Sequence, residues 1–294
     1  MKKQINFFEN ILYGMCIGIF EVVPGISGGT LAFIFGIYET LINAVSNLKK
    51  DFKNSFKILF PNVLGMGIGV YCFSFILNFL NMKFPLQVSF CLTGLILGII
   101  PSISSSAFML LKKNNNINNK NKLICFISFM ITIIIMFIIN YLSLTLNSSS
   151  NIVVDMTFLK SIKFFVVGML ASFCLMLPGC SGSLIMLVFG IYNSVINAIH
   201  NLNLLVLLPV GLGILFGLLI GSKIIAFCLK KFKEATFFAI FGLIIGSIVS
   251  PLLNFYKTYG LNLNYILSNI FFSTLSLIFG FFVSFLFSNN VEKK

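Results

Sequence analysis

The chain of 294 residues contains no arginine, no tryptophan and a single histidine, His200. One imidazole and no guanidinium remove most histidine metal sites, general-base schemes and bidentate arginine clamps at once. The seven cysteines are scattered through apolar segments without paired spacing, which supports neither a disulfide framework nor a metal site. Charge is scarce too: 9% of residues are charged, and only seven are acidic. Long polar regions, the mark of a soluble scaffold, are absent. Met1–Asn10 is polar and lacks the small-residue cleavage pattern of a signal peptide, so no cleaved leader is expected.

What fills the chain is apolar. Hydrophobic residues make up 58% and mean hydropathy is +1.04, more apolar surface than a soluble domain can hide. The expectation is an all-α multi-pass membrane protein. Twenty lysines give a net charge of +13. They stand in short clusters between apolar runs, which is a topology signal and not the footprint of a nucleic-acid partner.

One stretch, EVVPGISGGTLAFIFGIYE from Glu21 to Glu39, breaks an apolar run with a proline and glycines that helix interiors reject. It recurs. Residues 14–48 align without gaps on residues 168–202 with fifteen identities in thirty-five positions. Pro24-Gly25 and Ser27-Gly28 match Pro178-Gly179 and Ser181-Gly182, and FGIY at 35–38 matches 189–192. Pro61, Gly65, Gly69 and Ser74 correspond to Pro209, Gly213, Gly217 and Ser222, and GLILG at 94–98 echoes GLIIG at 242–246. The chain reads as two repeats, residues 1–150 and 151–294.

Each repeat offers one broken segment, 11–48 or 164–202, followed by three spans: 58–80, 86–111 and 123–146, then 204–229, 236–256 and 263–287. The spans suit a hydrocarbon core of about 30 Å. The arm before the first break, 11–23, reaches only about 20 Å, so each broken segment is expected to be a re-entrant hairpin, with the arm after the break running from Leu31 to Leu48. Lysines test this. With both hairpins re-entrant the repeats are inverted, and fifteen lysines fall on one face against four (Lys83, Lys160, Lys163, Lys257) on the other. With both segments spanning, the split is ten to nine. Short-loop lysines favour the cytoplasm, so both termini are expected there.

Two breaks entering from opposite faces can meet near the midplane, where secondary transporters place substrate. Irregular backbone at that depth must be buried in protein or line a cavity. The helix starts after Gly28 and Gly182, with Ser27 and Ser181 as hydroxyl donors, suit a phosphate or carboxylate. Lys223 stands within span 204–229 opposite Phe75 of the first repeat, either as a phosphate partner or snorkelling to the lysine-rich end. Glu21, opposite Leu175, and Glu39, opposite Asn193, are candidates for proton or sodium coupling or for interfacial positions. Tyr38 and Tyr192 read equally as interface anchors or substrate contacts.

The paired EVVPGISGGTLAFIFGIYE and LMLPGCSGSLIMLVFGIY, with GLIIGS, resemble the bacterial polyprenyl-phosphate transporter family. The resemblance covers nearly the whole chain. It implies a bacterial plasma-membrane protein that returns undecaprenyl phosphate from the outer to the inner leaflet for reuse in envelope polymers, with no cofactor. By position it implies motif residues Glu21, Pro24, Gly25, Ser27, Gly28 and Gly29 in one repeat and Pro178, Gly179, Ser181 and Gly182 in the other. The second copy departs by Cys180 for Ile26 and Ser183 for Gly29. A carrier of a small soluble anion is the competing reading, since the same helix ends would serve. A membrane phosphatase would need a nucleophile or base with partners, which one interfacial histidine and no arginine do not supply.

Overall fold

The computed structural model describes residues 6–21, 27–113, 119–145, 157–260 and 262–292. Among them the chain is helical throughout, without strands. In the first repeat the order is α1 (Phe7–Glu21), α2 (Gly28–Ile34), α3 (Tyr38–Ser46), α4 (Phe52–Lys83), α5 (Pro85–Lys113) and α6 (Asn119–Thr145). The second repeat runs α7 (Phe158–Met176), α8 (Gly182–Val188), α9 (Tyr192–His200), α10 (Leu204–Lys231), α11 (Lys233–Ser247), α12 (Ser250–Tyr259) and α13 (Leu263–Glu292). Among the described residues, seven helical stretches are long and apolar enough to cross a membrane. α4, α6, α10 and α13 turn large apolar side chains outward, among them Tyr71, Phe126, Phe216 and Phe271. In lipid these need no cover, and the protein is a multi-span membrane protein.

Three details differ from the sequence expectation. α7 begins at Phe158, ahead of residue 164, and at 19 residues is itself long enough to span. Its first turn is exposed, however, and burial starts at Phe164. The arm after each break is not one helix. FGIY ends α2 and α8 after 7 residues, with Gly36 and Gly190 at φ of 67° and 71°. Ile37 N–H donates back to Ala32 O and Ile191 N–H to Met186 O, the six-residue closure of a glycine-terminated helix. α8 and α9 thereby meet at 113°. Span 236–256 is likewise divided into α11 and α12, with Pro251 at the start of α12 and Ser250 Oγ donating to Asn140 Oδ1 of α6 at 2.9 Å.

The repeats interlock. α1 packs along α4 and α7 along α10, each pair within its own half. The remaining long helices cross over: α5 packs on α13 and α11 on α6. Small residues make these contacts, as expected where lipid supplies no hydrophobic force between helices. A Cβ on Gly69 would run into the Met15 carbonyl, and one on its counterpart Gly217 into the Met169 carbonyl. Gly94 faces Leu277 O and Gly280 faces Cys91 O in the α5–α13 pair. A core formed by Ile17, Leu31, Ile99, Met176, Ile225 and Ile244 joins both repeats around the breaks.

Glycine at the helix pairs is therefore a packing residue. Gly69→Leu should destabilise the protein by about 1–3 kcal/mol through overpacking. Gly67→Leu, whose Cβ meets open space, should leave thermal melting in detergent unchanged. Equal melting of the two variants would contradict the α1–α4 contact.

Candidate functional site

The first break lies between α1 and α2, and Pro24 and Gly25 fall outside the described residues. Ser27 caps α2 with extended backbone (φ −103°, ψ 133°), and its Oγ accepts from Gly29 N–H at 3.1 Å. Thr30 N–H donates to Ser27 O at 2.9 Å. Gly28 N–H donates to the Glu21 carboxylate at 2.8 Å. A helix start leaves its first amides without intrahelical partners; here each of these three finds an acceptor within the chain. The expectation of open amides thus meets a different arrangement: the acceptor on the Gly28 amide at the α2 start is the chain's own Glu21. Gly28 has no room for a side chain, since a Cβ would lie 2.5 Å from Glu21 Oε2 and 2.7 Å from Ile17 Cγ2.

The second break joins α7 to α8. Pro178 is fully buried. Gly179, at φ 85°, lies against the Leu243–Ile244 backbone of α11, where a Cβ would come within 2.8 Å. Ser181 caps α8 with nearly the same backbone as Ser27 (φ −101°, ψ 128°). Its hydroxyl is instead shared with Ser183 Oγ at 2.8 Å, so α8 starts without a side-chain cap. The cause is the Gly29-to-Ser183 difference between the copies.

The two breaks touch. Ser27 Oγ lies 3.3 Å from both Leu175 O and Leu177 O, donating its one proton to the last carbonyls of the other repeat's arm. In return Gly179 N–H donates to Thr30 Oγ1 at 2.9 Å. Thr30 was missed by sequence reasoning. Its signal was a hydroxyl just after SGG where the other copy has Leu184.

Of the remaining candidates, Glu39 forms an ion pair with Lys233 at 2.8 Å, half exposed, tying α3 to the start of α11. Lys223 is not brought to the breaks. It is exposed on the outer face of α10 with Ile220, Ile224 and Phe227, while the inner face carries Gly217, Gly221, Ser222 and Ile225. Tyr38 is buried in the core, and its hydroxyl has no partner among the described residues. Tyr192 is half-buried.

Beside Thr30 lies a cavity of about 80 Å³ lined by Cys16, Phe20, Leu31 and Leu95. Phe20 and Leu95 also line a larger cavity of about 640 Å³ between α1, α4, α5 and α13. Its walls are apolar apart from Gln87, Asn269 and Ser276. Phe272 and Leu275 belong both to its lining and to the exposed apolar surface, so it opens on the lipid-facing side.

Known proteins are similar to this chain in sequence. A family model described as VCA0040-like, undecaprenyl phosphate translocase-like, matches residues 17–260. A polyprenyl-phosphate transporter of Staphylococcus aureus is 35% identical over 252 residues, covering 81% of this chain and 84% of its own. One from Vibrio cholerae is 27% identical over 260 residues, covering 84% of this chain and 78% of its own. No solved structure matches the chain. The extent of these matches makes the chain a member of the undecaprenyl phosphate translocase-like family.

Proposed function

We infer that the protein carries polyprenyl phosphate across the bacterial plasma membrane from the outer to the inner leaflet, returning undecaprenyl phosphate for reuse in envelope polymers. The observation that carries this is a helix start holding a carboxylate, with an apolar, side-opening cavity beside it. A charged phosphate cannot cross hydrocarbon unaided, and its chain cannot leave hydrocarbon without cost. This protein meets both demands in adjoining places. The apolar walls are the observation that favours a lipid over a small soluble anion, which would gain nothing from them. Relatives named as transporters support a carrier and not an enzyme.

In this reading the phosphate replaces the Glu21 carboxylate on the Gly28 amide. Ser181 and Gly182 supply further donors at the second helix start, on the turn that Pro178 and Gly179 set. Glu39 is held by Lys233, which leaves Glu21 as the acidic group able to exchange a proton with the site. Glu21→Gln should raise the affinity for polyprenyl phosphate roughly fivefold, because a neutral acceptor competes less well than a charged one. Unchanged affinity, measured by displacement on purified protein, would place the phosphate elsewhere. Gly28→Val and Gly182→Val, which would collide with Glu21 and with the Ala171 carbonyl respectively, should abolish transport.

Lys223 is exposed among lipid-facing residues, so its ammonium serves the headgroup layer. Lys223→Gln should transport within about twofold of wild type in reconstituted vesicles, as surface substitutions usually do. A large loss at matched abundance would return Lys223 to the phosphate path.

The inverted arrangement of the two repeats, with re-entrant hairpins and both termini cytoplasmic, belongs to the same proposal and rests on the lysine distribution. In a chain stripped of its native cysteines, one placed at Asn47 should resist an impermeant thiol reagent in intact cells, and one at Asn201 should react. The reverse labelling would sink the inverted model.

A further inference from the structure

We propose that the cavity of about 640 Å³ between α1, α4, α5 and α13 seats the phosphate-proximal isoprene units of the transported lipid, and so measures the length of its chain. The proposal rests on the transport reading above. The first argument is continuity. Thr30, bonded to Gly179 at the junction of the breaks, lines the small cavity. Phe20 and Leu95 stand between that space and the large one, lining both. A chain whose phosphate lies at the α2 start therefore has an apolar path past Phe20 and Leu95, leaving beside Phe272 and Leu275 into lipid.

The second argument is that the fold fills the matching positions in the other repeat. By the repeat alignment, Leu92 and Leu95 correspond to Ile240 and Leu243. Those two are 1% and 6% exposed, packed into the core, whereas Leu92 and Leu95 stay partly open. Interiors are normally close-packed, so a space this large beside Leu92 and Leu95 indicates an occupant.

The third argument is chemical. No charged side chain lines the cavity and its walls are mostly apolar, which favours a hydrocarbon chain over a headgroup or a soluble anion as its occupant. Its polar groups lie away from the break: Gln87 Nε2 donates to Asn269 Oδ1 at 3.0 Å, bridging α5 and α13. An isoprene unit packed at interior density fills about 110 Å³, so the cavity holds roughly six.

The test uses purified protein in nanodiscs carrying radiolabelled undecaprenyl phosphate. Unlabelled polyprenyl phosphates of increasing length, inorganic phosphate and a diacyl phosphatidic acid are the competitors. Affinity should rise roughly threefold or more per isoprene unit, then level off at about six units. Val88→Trp and Leu92→Trp, which fill the cavity, should move that plateau to shorter chains. Leu95→Ala, which enlarges it, should move the plateau to longer ones and serves if the tryptophan variants fail to fold. Affinity independent of chain length, a plateau unmoved by any folded variant, or equal displacement by phosphatidic acid would overturn the proposal while leaving the transport reading intact. Failure of every polyprenyl phosphate to displace the label would instead bring down the transport reading itself.

Discussion

The constraint on which the structure depends is that backbone amides and carbonyls within a bilayer must find partners inside the protein. An unbroken helix meets it by itself. A helix interrupted by proline and glycine does not, and each interruption here leaves donors on one side and carbonyls on the other. The chain resolves this by bringing two interruptions together. Ser27 reaches the Leu175 and Leu177 carbonyls at the end of α7, and the Gly179 amide reaches Thr30. The second break thus takes partners from the first. The interlocking of α5 with α13 and of α11 with α6 follows the same logic, since two separable halves could not hold such a junction in register.

Much of this was legible because lipid simplifies the reading. Apolar runs of sufficient length locate candidate spans without reference to packing, and the described residues hold seven of them. The repeat was legible because turn chemistry is stringent: PG-x-SG and FGIY persisted while their apolar neighbours drifted. FGIY was seen as a matching string, but its role as a helix terminator was hidden, because aromatic and β-branched residues flank a lone glycine that a membrane helix would tolerate. The division of span 236–256 at Ser250-Pro251 was hidden for a similar reason, as a proline at a helix start and one inside a helix look alike in sequence.

Side-chain direction was the least legible. Lys223 and Ser222 are neighbours in sequence, yet one faces outward and the other is fully buried. Helical periodicity states which residues share a face, but α10 is apolar on every side, so nothing in its sequence says which face is the inner one. The glycines settle it: Gly213, Gly217 and Gly221 mark the side that approaches α7, and Lys223 lies off that stripe. The apolar cavity was also out of reach, because it depends on how far α4 stands from α5 and α13.

The differences between the repeats say more about the chemistry than their likeness does. Identical copies would each carry a glutamate before the break and a threonine after it, placing two buried carboxylates near one site with no arginine to offset them. Instead Glu21 faces Leu175 in the alignment and Thr30 faces Leu184, so the carboxyl group belongs to the first break alone while the Thr30 hydroxyl accepts from the Gly179 amide of the second. Gly29 against Ser183 divides the two helix starts in the same way. α2 closes its first amides on Ser27 and Glu21, while Ser181 gives its hydroxyl to Ser183 and leaves α8 without a side-chain cap. Duplication supplied two helix starts with the same cap backbone, and divergence gave the carboxyl group to one of them. A junction built this way has a single carboxyl group beside it, and that carboxyl accepts from the Gly28 backbone amide.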